Sequence, residues 1–103
     1  MSRLLIFWTG PRHLKGEEAE EWARSEARRL LEIDGIRSAE LTRLGSPSAG
    51  YGADHNWLLE VKLAPDADAR EFVEHELWRT WLGELRLLRL HPKVMLAGPG
   101  VEL

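Results

Sequence analysis

Apolar positions along this chain follow two different periods, and the order of the segments predicts the architecture. Period-two or continuous apolar runs, which indicate strands, occur at 3–9, 36–44, 55–63 and 93–97. Stripes at helical spacing, which indicate helices, occur at 16–33 and 69–88. The order is therefore strand, helix, strand, strand, helix, strand.

That order predicts an α+β fold of the ferredoxin-like class, a βαββαβ antiparallel sheet with two helices on one face. The first strand adds a second expectation. Leu4, Ile6 and Trp8 face one side of it while Leu5 and Phe7 face the other, so both sides are apolar. Because the helices cover one face, we expect the other face to pack against a second copy of the same sheet, giving a homodimer.

Composition narrows the class of protein. We expect 103 residues to form a single domain, 1–103. The formal charge of −3 argues against a nucleic-acid partner, and the five-residue apolar run near the start is too short for a signal peptide or a membrane span. We therefore expect a cytoplasmic protein without a membrane partner. The four histidines are widely spaced and no cysteine is present, so we predict no metal site.

Glu26 interrupts the apolar stripe of the first helix, between Trp22 and Leu30 at four-residue steps. A carboxylate on such a face costs free energy unless it is paired or protonated. Two interpretations are open: Glu26 pairs with a nearby arginine or tilts to the surface, or it is a proton-transfer residue in a ligand pocket.

The segment from Gly45 to Asp54, between the second and third strands, is long for a hairpin loop and rich in glycine and serine. Tyr51 is either a surface aromatic of this loop or part of a lid over a ligand. His55 shares strand parity with Trp57, so it is either a hydrogen-bonded structural residue or a catalytic one.

Residues 4–41 resemble the EthD-like group of the dimeric α+β barrel superfamily. Trp22 and the Asp34-Gly35 step match the pattern of that group, and Glu26 stands where the group has a histidine. The resemblance implies a homodimer with a cavity between sheet and helices in each subunit. Among the aromatic residues that could line it, or that simply fill the core, are Trp8, Trp22, Trp57, Phe72 and Trp81.

The resemblance also implies a small enzyme, independent of any cofactor, of the monooxygenase, isomerase or cyclase kind. Its substrate is expected to be a hydrophobic aromatic or polyketide-like small molecule. Glu26 and His55 are the candidate catalytic residues. The candidate substrate-binding residues are His13, Trp22, Tyr51, Trp57 and Trp81. Two alternatives stay open: a non-catalytic protein that binds a hydrophobic ligand or haem, and a structural dimer.

Overall fold

In the part of the chain that the structure describes, four strands and three helices follow the predicted order of segments, with the second predicted helix divided in two. The computed structural model describes residues 2–45, 56–98 and 101–103. Its elements are β1 Arg3–Trp8, α1 Gly16–Leu30, β2 Ile36–Arg43, β3 Trp57–Leu63, α2 Ala69–Glu74, α3 Glu76–Leu87 and β4 Lys93–Ala97. The strands form an antiparallel sheet in the order β2-β3-β1-β4. The predicted α+β architecture is confirmed.

The two faces of the sheet differ in burial, as the side chains of β1 show. Leu4, Ile6 and Trp8 are buried among helix residues, whereas Leu5 and Phe7 on the other face are only half-buried. Leu5 stands opposite Met95 of β4, and Phe7 stands opposite Leu58 of β3. We call Leu5, Phe7, Leu58 and Met95 the open face; Met95 is 43% exposed there.

A β-bulge in β2 explains why its sequence looks mixed. Ile36 pairs with Leu63 and Ser38 pairs with Lys62, so Arg37 is an extra residue. One extra residue reverses the inside-outside alternation of a strand. Ile36 and Leu41 differ in parity, yet both pack against the core on the helix side because of this bulge.

Helix α1 ends three residues earlier than the pattern predicts. After Leu30 the chain tightens: the N–H groups of Leu31 and Ile33 donate to carbonyls three residues back, at 3.1 and 3.0 Å. This 3₁₀-type turn keeps Ile33 buried although it is no longer in the α-helix. Gly35 has a φ of +96° in the turn that enters β2.

The second predicted helix is two helices, broken at His75. Phe72 and Trp78 are both buried, but six residues is about one and two-thirds helical turns, so a continuous helix would point them in different directions. His75 adopts an extended conformation, and its Nδ1 accepts a hydrogen bond from the N–H of Leu77 at 3.1 Å. The break lets both aromatic residues face the sheet, with ring centroids 5.5 Å apart.

Indole rings fill much of the space between the helices and the sheet. The centroid of Trp81 lies 5.5 Å from that of Trp8 and 5.9 Å from that of Trp78. All three side chains are almost fully buried. Burying each such aromatic side chain contributes about 2–3 kcal/mol to the hydrophobic term. These tryptophans are core residues of the fold.

Candidate functional site

A cavity of about 380 Å³ opens at one end of the sheet, where β1 and β2 end, β3 begins and α1 begins. Its volume falls within the range of small-molecule sites. The residues that line it are Gly10, Pro11, Arg12, Leu14, Lys15, Gly16, Ala19, Arg43, Leu44, Asn56 and Trp57.

Arg43 connects the sheet to the start of α1 beside this cavity. It stands opposite Trp57 across β2 and β3, with its guanidinium carbon 4.9 Å from the centroid of the indole ring. A guanidinium nitrogen of Arg43 also donates to the carbonyl oxygen of Gly16 at 3.0 Å. Stacking and hydrogen bonding together fix the position of this cation.

The cavity lining is closely packed near Trp57. The N–H of Gly10 donates to the side-chain oxygen of Asn56 at 3.2 Å. A Cβ atom on Gly10 would lie 3.3 Å from the indole nitrogen of Trp57. A side chain at Gly10 would therefore press on the indole. Trp57 itself is 3% exposed, so the cavity meets the ring mainly through the arginine that covers it.

Charge is distributed unevenly between the two ends of the sheet. Arg12, Lys15 and Arg43 line the cavity, and its described lining contains no carboxylate. At the other end, a cavity of about 290 Å³ is lined by Asp34, Asp66, Asp68 and Glu71, together with apolar residues and His75. A chain with a net charge of −3 thus presents one local positive region that favours anions.

Glu26 lies outside this cavity, in an ion-pair cluster between α1 and α3. Its carboxylate accepts a hydrogen bond from Arg29 at 3.1 Å, and Arg29 also donates to Glu84. Ala19 is the α1 residue closest to Glu26 that lines the cavity, and seven residues of helix separate the two by about 10 Å. Of the two interpretations of Glu26, the structure shows the arginine pair; its role in proton transfer stays a prediction.

The cluster shifts the pKa values of two of its members. The hydrogen bond to Glu84, aided by the charges of both glutamates, raises the pKa of Arg29 against the effect of burial. The hydrogen bond from Arg29 lowers the pKa of Glu84. Both groups are therefore held in their charged forms, and their ion pair links α1 to α3 at the protein surface.

The other predicted site residues are spread over the molecule. Trp81 is in the core, and its indole N–H donates to the backbone carbonyl of Glu26 at 3.1 Å. Trp22 is half-buried against the core on α1, and His13 is exposed in the turn after β1, beside Arg12. Tyr51 and His55 lie outside the described residues.

Of the predicted site residues that the structure describes, Trp57 alone lies in the lining of the cavity. Sequence reasoning missed Arg12, Lys15 and Arg43. Two signals could have found them: the basic turn that follows Gly10-Pro11, and the arginine that ends β2. Among residues 2–45, 56–98 and 101–103, no three acidic or histidine side chains come together in a metal-binding arrangement. Within the same residues, no helix is both long and apolar enough to span a membrane.

Solved structures similar to this one share its whole length. An ethyl tert-butyl ether degradation (EthD) family protein from Bacillus halodurans has a TM-score of 0.70 at 16% identity, covering 97% of this chain and 100% of that one. A dimeric ferredoxin-like protein of unknown function from Thermobifida fusca has a TM-score of 0.63 at 11% identity, covering 95% and 90%. SnoaB, a cofactor-independent oxygenase from Streptomyces nogalater, has a TM-score of 0.65 at 15% identity, covering 99% and 95%.

The chain has a ferredoxin-like fold, which it shares with these solved structures. At such identities the likeness establishes the ferredoxin-like fold alone. No family model matches the sequence, and no curated protein does. The positive charge of the cavity comes from Arg12, Lys15 and Arg43 of this chain, and the shared fold by itself does not imply it.

Proposed function

We propose that this protein is a small homodimeric enzyme that acts, without a cofactor, on an aromatic or polyketide-like small molecule in the cavity beside Trp57. The observation that carries the proposal is that apolar side chains and three cationic side chains line the same cavity, whose volume suits a small molecule. Leu14, Ala19 and Leu44 supply apolar surface. We expect the enzyme to work in the cytoplasm.

The proposed reaction classes share a first step. Oxygenation, isomerisation and cyclisation of such molecules each begin when a base removes a proton from an acidic C–H or O–H group, leaving an enolate or a phenolate. Arg43 is held against Trp57 and Gly16 in the folded protein. It would therefore stabilise that anion without having to change position during the reaction. For oxygenation, molecular oxygen is the oxidant that then takes electrons from the anion.

Of the two predicted proton-transfer residues, His55 is the better candidate for this base. It directly precedes Asn56, whose side chain bonds Gly10 in the cavity lining. Glu26 is about 10 Å further along α1 and its carboxylate is engaged with Arg29. Tyr51 and His13 keep their predicted roles in orienting the substrate. SnoaB, described as a cofactor-independent oxygenase, supports the reaction class.

The proposal is tested by incubating the protein with a panel of polycyclic phenols and 1,3-diketones while oxygen uptake and product mass are measured. We expect turnover of at least one compound. Arg43→Gln and His55→Ala should each reduce it by roughly a hundred-fold or more. Arg24→Gln is the matched control, because Arg24 pairs with Glu20 on the outer face of α1. The proposal fails if no compound reacts, or if the Arg43 and His55 variants keep full activity.

The open face supports the homodimer. Leu5 and Phe7 lie on a central strand, with Leu58 and Met95 beside them, and the helices of the same chain do not cover them. An apolar cluster in the middle of a sheet is typical of an interface with a second sheet. The Thermobifida fusca protein with the same fold is described as dimeric.

A second candidate function is a non-catalytic binding protein or a structural dimer. It is favoured by the packed interior, where Trp8, Trp78 and Trp81 occupy the space between helices and sheet. Binding of an aromatic compound without turnover of any would select this candidate.

A further inference from the structure

Two of the three cations of the cavity are free of ion pairs with the described residues, and they share one cavity lining. Elsewhere, Arg3, Arg24 and Arg29 are neutralised by glutamates. Arg12 and Lys15 line the cavity, and within residues 2–45, 56–98 and 101–103 no carboxylate pairs with either.

These two cations lie in the same connection, between β1 and α1, where both line the cavity. Arg12 is in the turn that follows β1, and Lys15 is the residue before the first turn of α1. Glu17 and Glu18 follow in that first turn but are not part of the lining. This part of the cavity lining therefore concentrates positive charge, which an anionic ligand would neutralise.

The third cation, Arg43, is held in place by two contacts. Its guanidinium carbon lies over the indole of Trp57, 4.9 Å from the ring centroid, and it donates to the carbonyl of Gly16. A flat ligand that enters the cavity would pack against this guanidinium. Arginine stacks on aromatic rings in this way, and Leu14 and Leu44 extend the apolar surface.

We infer that the ligand of this cavity is an aromatic carboxylate, with its ring against Arg43, Leu14 and Leu44 and its carboxylate between Arg12 and Lys15. The inference rests on the proposed function for the location of the site and adds the chemical class of the substrate. It assigns Arg12 and Lys15 as specificity-determining residues. The acidic group that loses a proton in the reaction is a separate group of the same molecule.

The test compares 3-hydroxy-2-naphthoate with its neutral carboxamide, which has the same rings and phenol. Binding is measured by calorimetry and by quenching of tryptophan fluorescence. We expect the carboxylate to bind roughly ten-fold or more tightly than the amide, since hydrogen bonds to charged groups are the stronger kind. The double variant Arg12→Gln/Lys15→Gln should weaken carboxylate binding by at least that factor and leave amide binding unchanged. Arg24→Gln should alter neither.

The outcomes separate this inference from the proposed function. Equal binding of acid and amide, or no effect of the double variant, overturns the inference, and turnover of neutral phenols would leave the proposed function standing. Preferential binding of the acid without turnover of any compound supports the inference and favours the non-catalytic candidate. If neither naphthalene binds to the wild-type protein, the inference is wrong, and the turnover panel decides the proposed function independently.

Discussion

The indole rings of Trp8 and Trp81 meet edge to face, with an angle of 87° between their planes. Both side chains are fully buried, but their N–H groups differ. Trp81 donates to the carbonyl oxygen of Glu26, whereas the N–H of Trp8 has no hydrogen-bond partner among the described residues. One member of the pair is thus satisfied and the other is not.

This difference predicts unequal costs for the same substitution. Trp81→Phe removes its hydrogen bond to the carbonyl of Glu26, which keeps its helical partner in α1, while Trp8→Phe removes an N–H that was buried at a cost. We expect Trp81→Phe to lower the free energy of unfolding by about 1 kcal/mol more than Trp8→Phe. Urea denaturation of both variants measures it, and equal losses would contradict the assignment of the hydrogen bond.

The cluster of Arg29 with Glu84 predicts a pH-dependent contribution to stability. Because the folded protein holds the pKa of Glu84 below its ordinary value of 4.5, the unfolded state binds more protons in acid. The contribution is complete above pH 4.5 and is lost as the pH falls through the lower pKa of the folded state. Glu84→Gln should therefore flatten the acid limb of a plot of Tm against pH.

The control for that prediction is a double-variant cycle. In an Arg29→Gln background, adding Glu84→Gln should leave the acid limb nearly unchanged, since the partner that lowers the pKa is gone. Added salt should weaken the effect in the wild-type protein, because the pair lies at the surface. A full acid limb in the Glu84→Gln variant would assign the pH dependence to other carboxylates.

His75 separates α2 from α3 and caps the second of them. Replacing it by alanine removes the acceptor for the N–H of Leu77, and we expect a loss of about 0.5–2 kcal/mol. His75→Asn should retain most of the stability, because asparagine is a favoured N-cap residue. Thermal unfolding of the two variants distinguishes capping from other effects of the imidazole: if both lose stability equally, the cap is not the reason.

The chain leaves α3 through Arg89, whose φ of +58° lies in the left-handed region. The N–H of Leu90 donates to Leu85 and that of Arg89 donates to Arg86, a Schellman arrangement in which glycine is the usual residue. Arg89→Gly should therefore stabilise the protein by about 1 kcal/mol, whereas Arg89→Ala should not. A Tm that rises for both variants would point to the charge of Arg89 instead of its backbone.

The open face predicts which substitution would break the proposed homodimer. Phe7→Lys places a charge in the middle of this face, and we expect it to convert a dimer into a monomer in sedimentation at micromolar concentration. Leu88→Lys is the matched control, because Leu88 is a highly exposed leucine after α3, away from the sheet. A wild-type protein that sediments as a monomer would contradict the homodimer.

Much of the fold could be predicted because strong local signals mark where its helices and strands begin and end. Pro92 and Gly98 flank β4, and its predicted limits, Lys93–Ala97, are those observed. The break at His75 was missed because a histidine cap has no strong sequence signal and the surrounding spacing is compatible with one wide stripe. Phe72 and Trp78 can be buried together only because the helix is interrupted between them.

The candidate site was harder to predict, because it is made of cross-strand relationships. Trp57 was expected near a ligand, but Arg43 was not, since their pairing depends on the register of β2 against β3. For Glu26 the sequence left two interpretations. Arg29 lies three residues further along the same helix, and only the packing of α1 on α3 adds Glu84 to Arg29. Long-range register and helix packing are not properties of a local pattern.

The extra residue at Arg37 has a consequence for comparing this protein with its structural relatives. A gap-free alignment to a strand that lacks the bulge would equate interior positions with exterior ones on one side of residue 37. Arg43, the residue that reaches the cavity, lies on the far side of that step from Ile36. Whether a relative carries an equivalent arginine can therefore be judged only after the strands are superposed in space.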